Sequence, residues 1–313
     1  MADKYGVIMT EQMRVDEFLA AVLEITQPLD PFDMPLLDAH GAIIASDVSA
    51  GDRLVLKAGT LIQSRQIGLA ASIGLSRLPT RPHPRVVVLS AGPDLVEPGM
   101  DLVDEEEYET NSWLLTTAVR EVGAVAYRVH SIPDDESELR AVIEDQLVRA
   151  DLVIISGERH DDSFALINRT LQLLGEIRDV ELAIADSGRH GFGKIGPDQT
   201  PVVVLPGDPM AAYTSFELFV RPMIRQMMGA LEIHRPSVKA RLEKNVNSSS
   251  PLRSYLPGVL SEDYALVTVL PHHSEASTMA QANCLVAIPE DAKDVKAGTQ
   301  VSCVILQRNY SHL

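Results

Sequence analysis

The sequence predicts an α/β protein in three parts: an α+β N-terminal segment, a three-layer α/β/α central domain and a small C-terminal β-domain. Between residues 85 and 230, apolar strand-like runs alternate with amphipathic helix-like segments, the pattern of a sheet built through crossover helices. "RPHP" at 81–84 breaks the chain just before that alternation begins. After "HRPS" at 234–237 the helical periodicity gives way to short apolar runs such as "CLVAIP" and "VSCVIL", separated by turns. The expected domains are 1–81, 82–233 and 234–313.

Taken in order, residues 14–25 place Val15, Phe18, Leu19, Val22 and Leu23 on one helical face. "PLLDAHGAIIASDV" is expected to form a short helix and a strand, and "DRLVLKAGTLIQSRQIGLAASIG" a strand, turn and helix. In the central domain, strands are predicted at 85–92, 124–129, 151–157, 180–185 and 201–207, all parallel. Helices are predicted at 111–123, with Asn111 as N-cap and Gly123 closing it, at 134–150 behind an acidic first turn, at 163–174, and as one long helix after "GDP".

Composition narrows the function. A net charge of −17 and only 4% aromatic residues argue against nucleic acid, whose phosphates need Lys/Arg patches, and against anionic membrane surfaces. The most apolar long segment, 209–230, is interrupted by Glu217, Arg221, Pro222 and Arg225, so direct membrane insertion is not expected. Cys284 and Cys303 form no disulfide framework and are expected to be buried thiols in a reducing, cytoplasmic compartment. "MADKYGVIMT" lacks a basic n-region and a long apolar run, so a signal peptide is not expected there.

Ligands of such sheets bind at loops beyond the carboxyl ends of the strands. Those loops are "SAGPDLVEPG" (90–99), "SIPDDESE" (131–138), "SGERHDDS" (156–163) and "LPGDPM" (205–210). Gly157, Gly207, Asp208 and Pro209 are the candidate ligand-binding residues there, with Asp208 equally suited to cap its own helix. His160, Asp161 and Asp162 are adjacent, as are His272 and His273. Neighbouring side chains rarely converge on one ion, so no metal site is expected.

Taken together, these loops resemble the MoeA/gephyrin E-domain family, which inserts molybdate into molybdopterin. "VVVLSAGPDLVEPGMDLVDEEEYETNSWLLTTAVREVGA" is similar to the family's "TGDEL…PG…DxN…L…GA" stretch. "SIPDDESELRAVI", "DLVIISG", "VVVLPGDPMAAYTSFELFVRPMI" and the C-terminal segment from Ser274 resemble further family elements. The resemblance implies a molybdopterin-binding-like central domain and a homodimer. It places Asp94, Asp134 and Asp135 at residual family acidic positions, where Asp134 and Asp135 would otherwise serve as helix caps.

Four departures stand out. A β-rich domain that follows "SDV" in the family is missing near residues 49–51. The family's glycine-rich loop becomes Gly157-Glu158-Arg159-His160-Asp161-Asp162, and glycines there would let a backbone approach a phosphate. A family aspartate falls on Ala165. Two family lysines fall on Ala185 and Gly188, although anionic substrates call for fixed positive charge. From these losses we expect a non-catalytic dimeric scaffold that needs no cofactor and binds a protein or peptide, the FtsZ tail being one partner the resemblance suggests. Its groove would involve Tyr255, Leu256 and Pro257 in "SYLPGVL" and Tyr264 in "YALVTVL", by apolar docking or strand addition. The alternative is a molybdopterin molybdotransferase acting on adenylylated molybdopterin, with molybdopterin and Mg as the groups required.

Overall fold

The computed structural model describes residues 11–103, 106–130, 135–157, 161–248, 251–271 and 276–307. Strand β1 (Glu11–Met13) leads into helix α1 (Val15–Glu24), whose Val15, Phe18 and Val22 are buried as the 3.6-residue spacing requires. A small module follows: β2 (Phe32–Pro35), β3 (Ile43–Ile44), β4 (Val48–Ala50), β5 (Arg53–Leu56), α2 (Ser64–Ser72) and β6 (Arg77–Arg81). Its sheet runs β2-β6-β3, over a core that includes Met34, Ile44, Ile62 and Leu78. Residues 36–41 turn rather than forming the expected short helix. At the point where the resemblance implies a missing domain, β4 and β5 are a hairpin in which Ala50 faces Arg53. Gly51 takes the left-handed φ of 58° in its two-residue turn.

The central domain contains β7 (Arg85–Ser90), β8 (Leu95–Val96), β9 (Glu107–Tyr108), α3 (Asn111–Val122), β10 (Val125–Arg128), α4 (Glu136–Leu147), β11 (Leu152–Ser156) and α5 (Asp161–Gln172). It continues with β12 (Gly175–Leu182), β13 (Arg189–Ile195) and β14 (Thr200–Leu205). Helix α6 (Pro209–Ser215), a π-helical turn (Phe216–Val220) and α7 (Arg221–Met227) close it. The seven-stranded sheet runs β1-β12-β13-β14-β11-β7-β10. It is mixed, not wholly parallel as expected, because β13 pairs antiparallel with both β12 and β14. The pleat sends alternate residues to opposite faces. Val86, Val88, Leu152, Ile154 and Val203 pack with α1, α3 and the helices after β14. Val87, Leu89, Val153, Ile155 and Val202 pack with α4 and α5. Both faces are thus covered, giving three layers.

The run expected as one long helix after "GDP" is interrupted by the π-helical turn ahead of Pro222. Proline lacks the N–H that a regular α-helical turn would use, and the wider turn accommodates it. Beyond it come β15 (Ser237–Leu242), β16 (Val246–Asn247), β17 (Ser254–Leu260), β18 (Leu266–Val269), α8 (Ala276–Gln281), β19 (Cys284–Ile288), β20 (Asp294–Val295) and β21 (Gln300–Ile305). Strands β15-β18-β17-β19-β21 form a closed barrel around Leu242, Leu260, Val267, Val286 and both cysteines, which are free and buried.

Candidate functional site

Strand β7 lies between β10 and β11, and the helices on its two sides, α3 and α4, lie on opposite faces of the sheet. The carboxyl ends of β7 and β11 are therefore a topological switch point, where chain ends diverge and leave a crevice. Ser90 and Ser156 end these strands, both buried, with their hydroxyls 3.1 Å apart. Glu109, only 1% exposed, gathers the surrounding donors. Its Oε1 accepts from Ser90 Oγ at 2.7 Å and from the Ser112 backbone N–H at 2.7 Å, and its Oε2 accepts from Ser112 Oγ at 2.5 Å. Arg128 donates to Glu109 at 3.3 Å, to Ser112 Oγ at 2.6 Å and to Glu97, with its guanidinium 4.2 Å from the Trp113 ring centre. A carboxylate this deep persists only when its lone pairs are met, and Glu109 meets them while capping the first turn of α3.

Asn111 completes the rim. Its amide donates to the Gly207 carbonyl at 2.8 Å, tying α3 to the end of β14. Its Oδ1 is buried and has no partner among the described residues. It lines a pocket of about 50 Å3 together with Leu95, Glu109, Gly157, Gly207 and Pro209. A buried, unmet acceptor at a switch-point pocket is what a ligand N–H or O–H would satisfy. A Cβ at Gly157 would lie 2.6 Å from Ser163 Oγ and would displace that hydroxyl.

A larger cleft of about 590 Å3 opens on the other side of the Gly207–Met210 segment, between α6 and the barrel strand β17. Asp208, on its wall, caps α6 by accepting from the N–H groups of Met210 and Ala211 at 3.0 and 2.9 Å. Ser215 lines it too and is held by buried His190, whose Nε2 is 2.7 Å from Ser215 Oγ. Burial pushes the His190 imidazole down to about 4, so the ring is neutral at physiological pH. Among the described residues, no group of three or more His, Cys, Asp or Glu comes together.

Comparison with known proteins places this geometry. Residues 87–226, which contain every rim residue named above, match the family described as probable molybdopterin binding domain. Residues 239–306 match the MoeA C-terminal region, domain IV. A Mycobacterium tuberculosis protein named molybdopterin molybdenumtransferase 1 is 34% identical over 272 residues, 84% of this chain and 64% of its own length. Molybdopterin molybdenumtransferase 2 of that organism is 35% identical over 265 residues, 82% of this chain and 64% of its own. The chain belongs to the MoeA family. The MoeA-like fold itself is seen in the molybdopterin biosynthesis MoeA protein of Pyrococcus horikoshii, with a TM-score of 0.82 at 21% identity, over 95% of this chain and 100% of that one. The chain spans 64% of the length of the curated MoeA relatives, in keeping with a β-rich domain missing at the β4–β5 hairpin.

These relatives overturn the expectation of a non-catalytic scaffold, because both carry a transferase name. The fold removes part of that expectation's physical basis as well. Strand β18 is paired on one side with β15 and on the other with β17, so the predicted strand-addition edge at 264–270 does not exist. Tyr255, Leu256 and Pro257 line the large cleft, whereas Tyr264 sits apart, in a turn before β18 at φ 57°, packed on the barrel core. The expectation that no cofactor is involved loses its ground in a chain with a molybdopterin-binding family match.

The other predicted positions separate. Gly157, Gly207 and Pro209 converge on the small pocket and Asp208 on the large cleft. Asp94 lies in the turn after β7, where its carbonyl accepts the Glu107 N–H at 2.8 Å. Asp135 caps α4, accepting from the Ser137 and Glu138 N–H groups at 2.8 and 2.9 Å, which is a structural role. Asp134 and the Glu158–His160 stretch lie outside the described residues. Arg189 pairs with Asp179, and Lys194 is in β13, opposite Pro201 and Glu176. Glu109 and Asn111 were the residues missed as site candidates, although "ETN" stood in the stretch resembling the family's "DxN".

Proposed function

We propose that this chain binds molybdopterin at the switch-point rim and transfers molybdenum into it. The observation that carries this reading is the coincidence of the molybdopterin-binding family match with the rim of Ser90, Glu109, Asn111, Ser156 and Gly207. The names of the MoeA relatives supply the reaction. Molybdopterin and molybdate are the substrates, and the chain's own residues bind and orient them. Asn111 Oδ1 accepts a hydrogen bond from the bound molecule. Glu109 acts as a positioning residue: it fixes Ser90, Ser112 and Arg128 and does not face solvent. The large cleft between α6 and β17 has the volume of a small-molecule site and receives the rest of the substrate.

The missing charge shapes the chemistry. Among the described residues, neither cavity is lined by Lys or Arg, so hydroxyls and backbone N–H groups meet the anionic groups. Ala185 lines the large cleft at one of the two positions where the resemblance implies a lysine. Purified chain supplied with adenylylated molybdopterin and molybdate is expected to accumulate molybdenum-loaded pterin, measured by elemental analysis after gel filtration. Ala185→Lys is expected to accelerate the reaction several-fold at low salt and less at high salt. Failure of the folded wild-type chain to load molybdenum, with or without the added lysine, overturns the transfer reading.

A further inference from the structure

The large cleft carries a charge pattern that its proposed substrate must match. Among the described residues, its charged lining groups are Asp186 and Asp208. Asp208 Oδ1 is committed to the α6 cap. Asp186 makes no hydrogen bond or ion pair with any described residue. Its backbone is held at φ 55°, a left-handed conformation that an Asp tolerates at modest cost but that needs outside support. That support comes from the barrel: the Ala185 N–H donates to the Arg253 carbonyl at 2.8 Å, and the Arg253 N–H to the Ala183 carbonyl at 3.0 Å. The Asp186 carboxylate stands exposed on the cleft wall, carried by a backbone that these bonds tie to the barrel. The apolar lining comes from Met210 and Ala211 of α6 and from Tyr255, Leu256 and Pro257 of β17, surfaces suited to a flat ring.

A phosphate or molybdate is repelled from such a place, whereas a 2-amino-4-oxopyrimidine edge suits it. That edge offers two parallel N–H donors, one from the ring and one from the exocyclic amine. Their spacing matches the two oxygens of a carboxylate, as a guanidinium fork does. Resting on the molybdopterin reading above, we propose that Asp186 is the specificity residue of the large cleft, receiving the amino-oxo edge of the pterin ring while the anionic end of the substrate points away from this carboxylate.

The test compares two simple fluorescent rings on the full chain: pterin, with the 2-amino-4-oxo edge, and lumazine, its 2,4-dioxo analogue. The wild type is expected to bind pterin about tenfold or more tightly than lumazine, the discrimination of one good bidentate pair. Asp186→Asn keeps a residue type that tolerates the left-handed backbone, but replaces two acceptors by one acceptor and one donor. That pair complements the lumazine edge, so the preference should vanish or reverse, with unchanged melting temperature. Equal binding of both rings by wild type and by Asp186→Asn overturns the Asp186 assignment and leaves the molybdopterin reading standing. Failure of the folded wild type to bind either ring overturns the assignment together with the pterin reading of this cleft.

Discussion

His190 shows how a single buried side chain couples the fold to pH. Its ring is enclosed by Phe18 and Phe219 at 5.6 and 6.4 Å between ring centres. One nitrogen faces Ser215 Oγ and the other the Gly188 carbonyl. With the folded value near 4 and an unfolded value near 6.5, the unfolded chain takes up a proton that the native chain refuses. Stability is therefore complete above about pH 6.5 and is lost as pH falls toward 4, by about 3 kcal/mol from this group. Urea midpoints between pH 7 and pH 4 should fall in the wild type and fall less in His190→Gln. An equal decline in both proteins would place the acid sensitivity elsewhere. Neither this burial nor the network around Glu109 was legible in the sequence, since both depend on which strands become neighbours. The "ETN" spelling was visible, but not that its glutamate is sealed beneath the rim.

The strands and helices were mostly readable because their periodicities are strong. The exception is β13, since no strand is predicted for its residues "RHGFGKI". Glycine weakens the strand pattern in sequence, yet here it is what permits the pairing. A Cβ at Gly193 would lie 1.9 Å from the Glu176 carbonyl oxygen, and one at Gly175 would lie 2.0 Å from that of Lys194. Without those close approaches β12 and β14 would not be joined, and the loop that carries Ala185 and Asp186 would not reach the barrel. Gly193→Ala is expected to cost about 3 kcal/mol through backbone displacement. Thermal denaturation should show a lower midpoint than for Gly74→Ala, whose added Cβ meets nothing within 4 Å but whose left-handed φ of 82° carries its own modest strain. Equal midpoints would mean that the β12–β13 contact is looser than the structure has it.

At the scale of the whole molecule, the proposed function depends on holding the barrel against the central domain, because the large cleft is made by both. Buried Glu217 is central to that junction. It accepts two hydrogen bonds from Arg235, each 2.7 Å long, and Arg235 also donates to the Leu306 carbonyl at 2.7 Å in the barrel. Burial alone would pull the Arg235 guanidinium down, and its bonds to Glu217 more than offset this. Glu217→Ala strands that cation and should cost about 3 kcal/mol, with the loss appearing in ring binding by the large cleft as well as in stability. A destabilised protein that binds as before would separate the junction from the site. The β-rich C-terminal part was foreseeable from the change of pattern after 234–237. The function expected from composition and missing residues was not, because absent lysines and glycines say less than the geometry that remains. The most direct measurement is equilibrium dialysis of molybdopterin against the intact chain and against Asn111→Ala, which removes the unmet acceptor and the tie to Gly207. The wild type should retain molybdopterin, and the variant about tenfold less. Equal concentrations on both sides of the membrane with folded wild type, or retention unaffected by the substitution, would contradict the rim as the molybdopterin site.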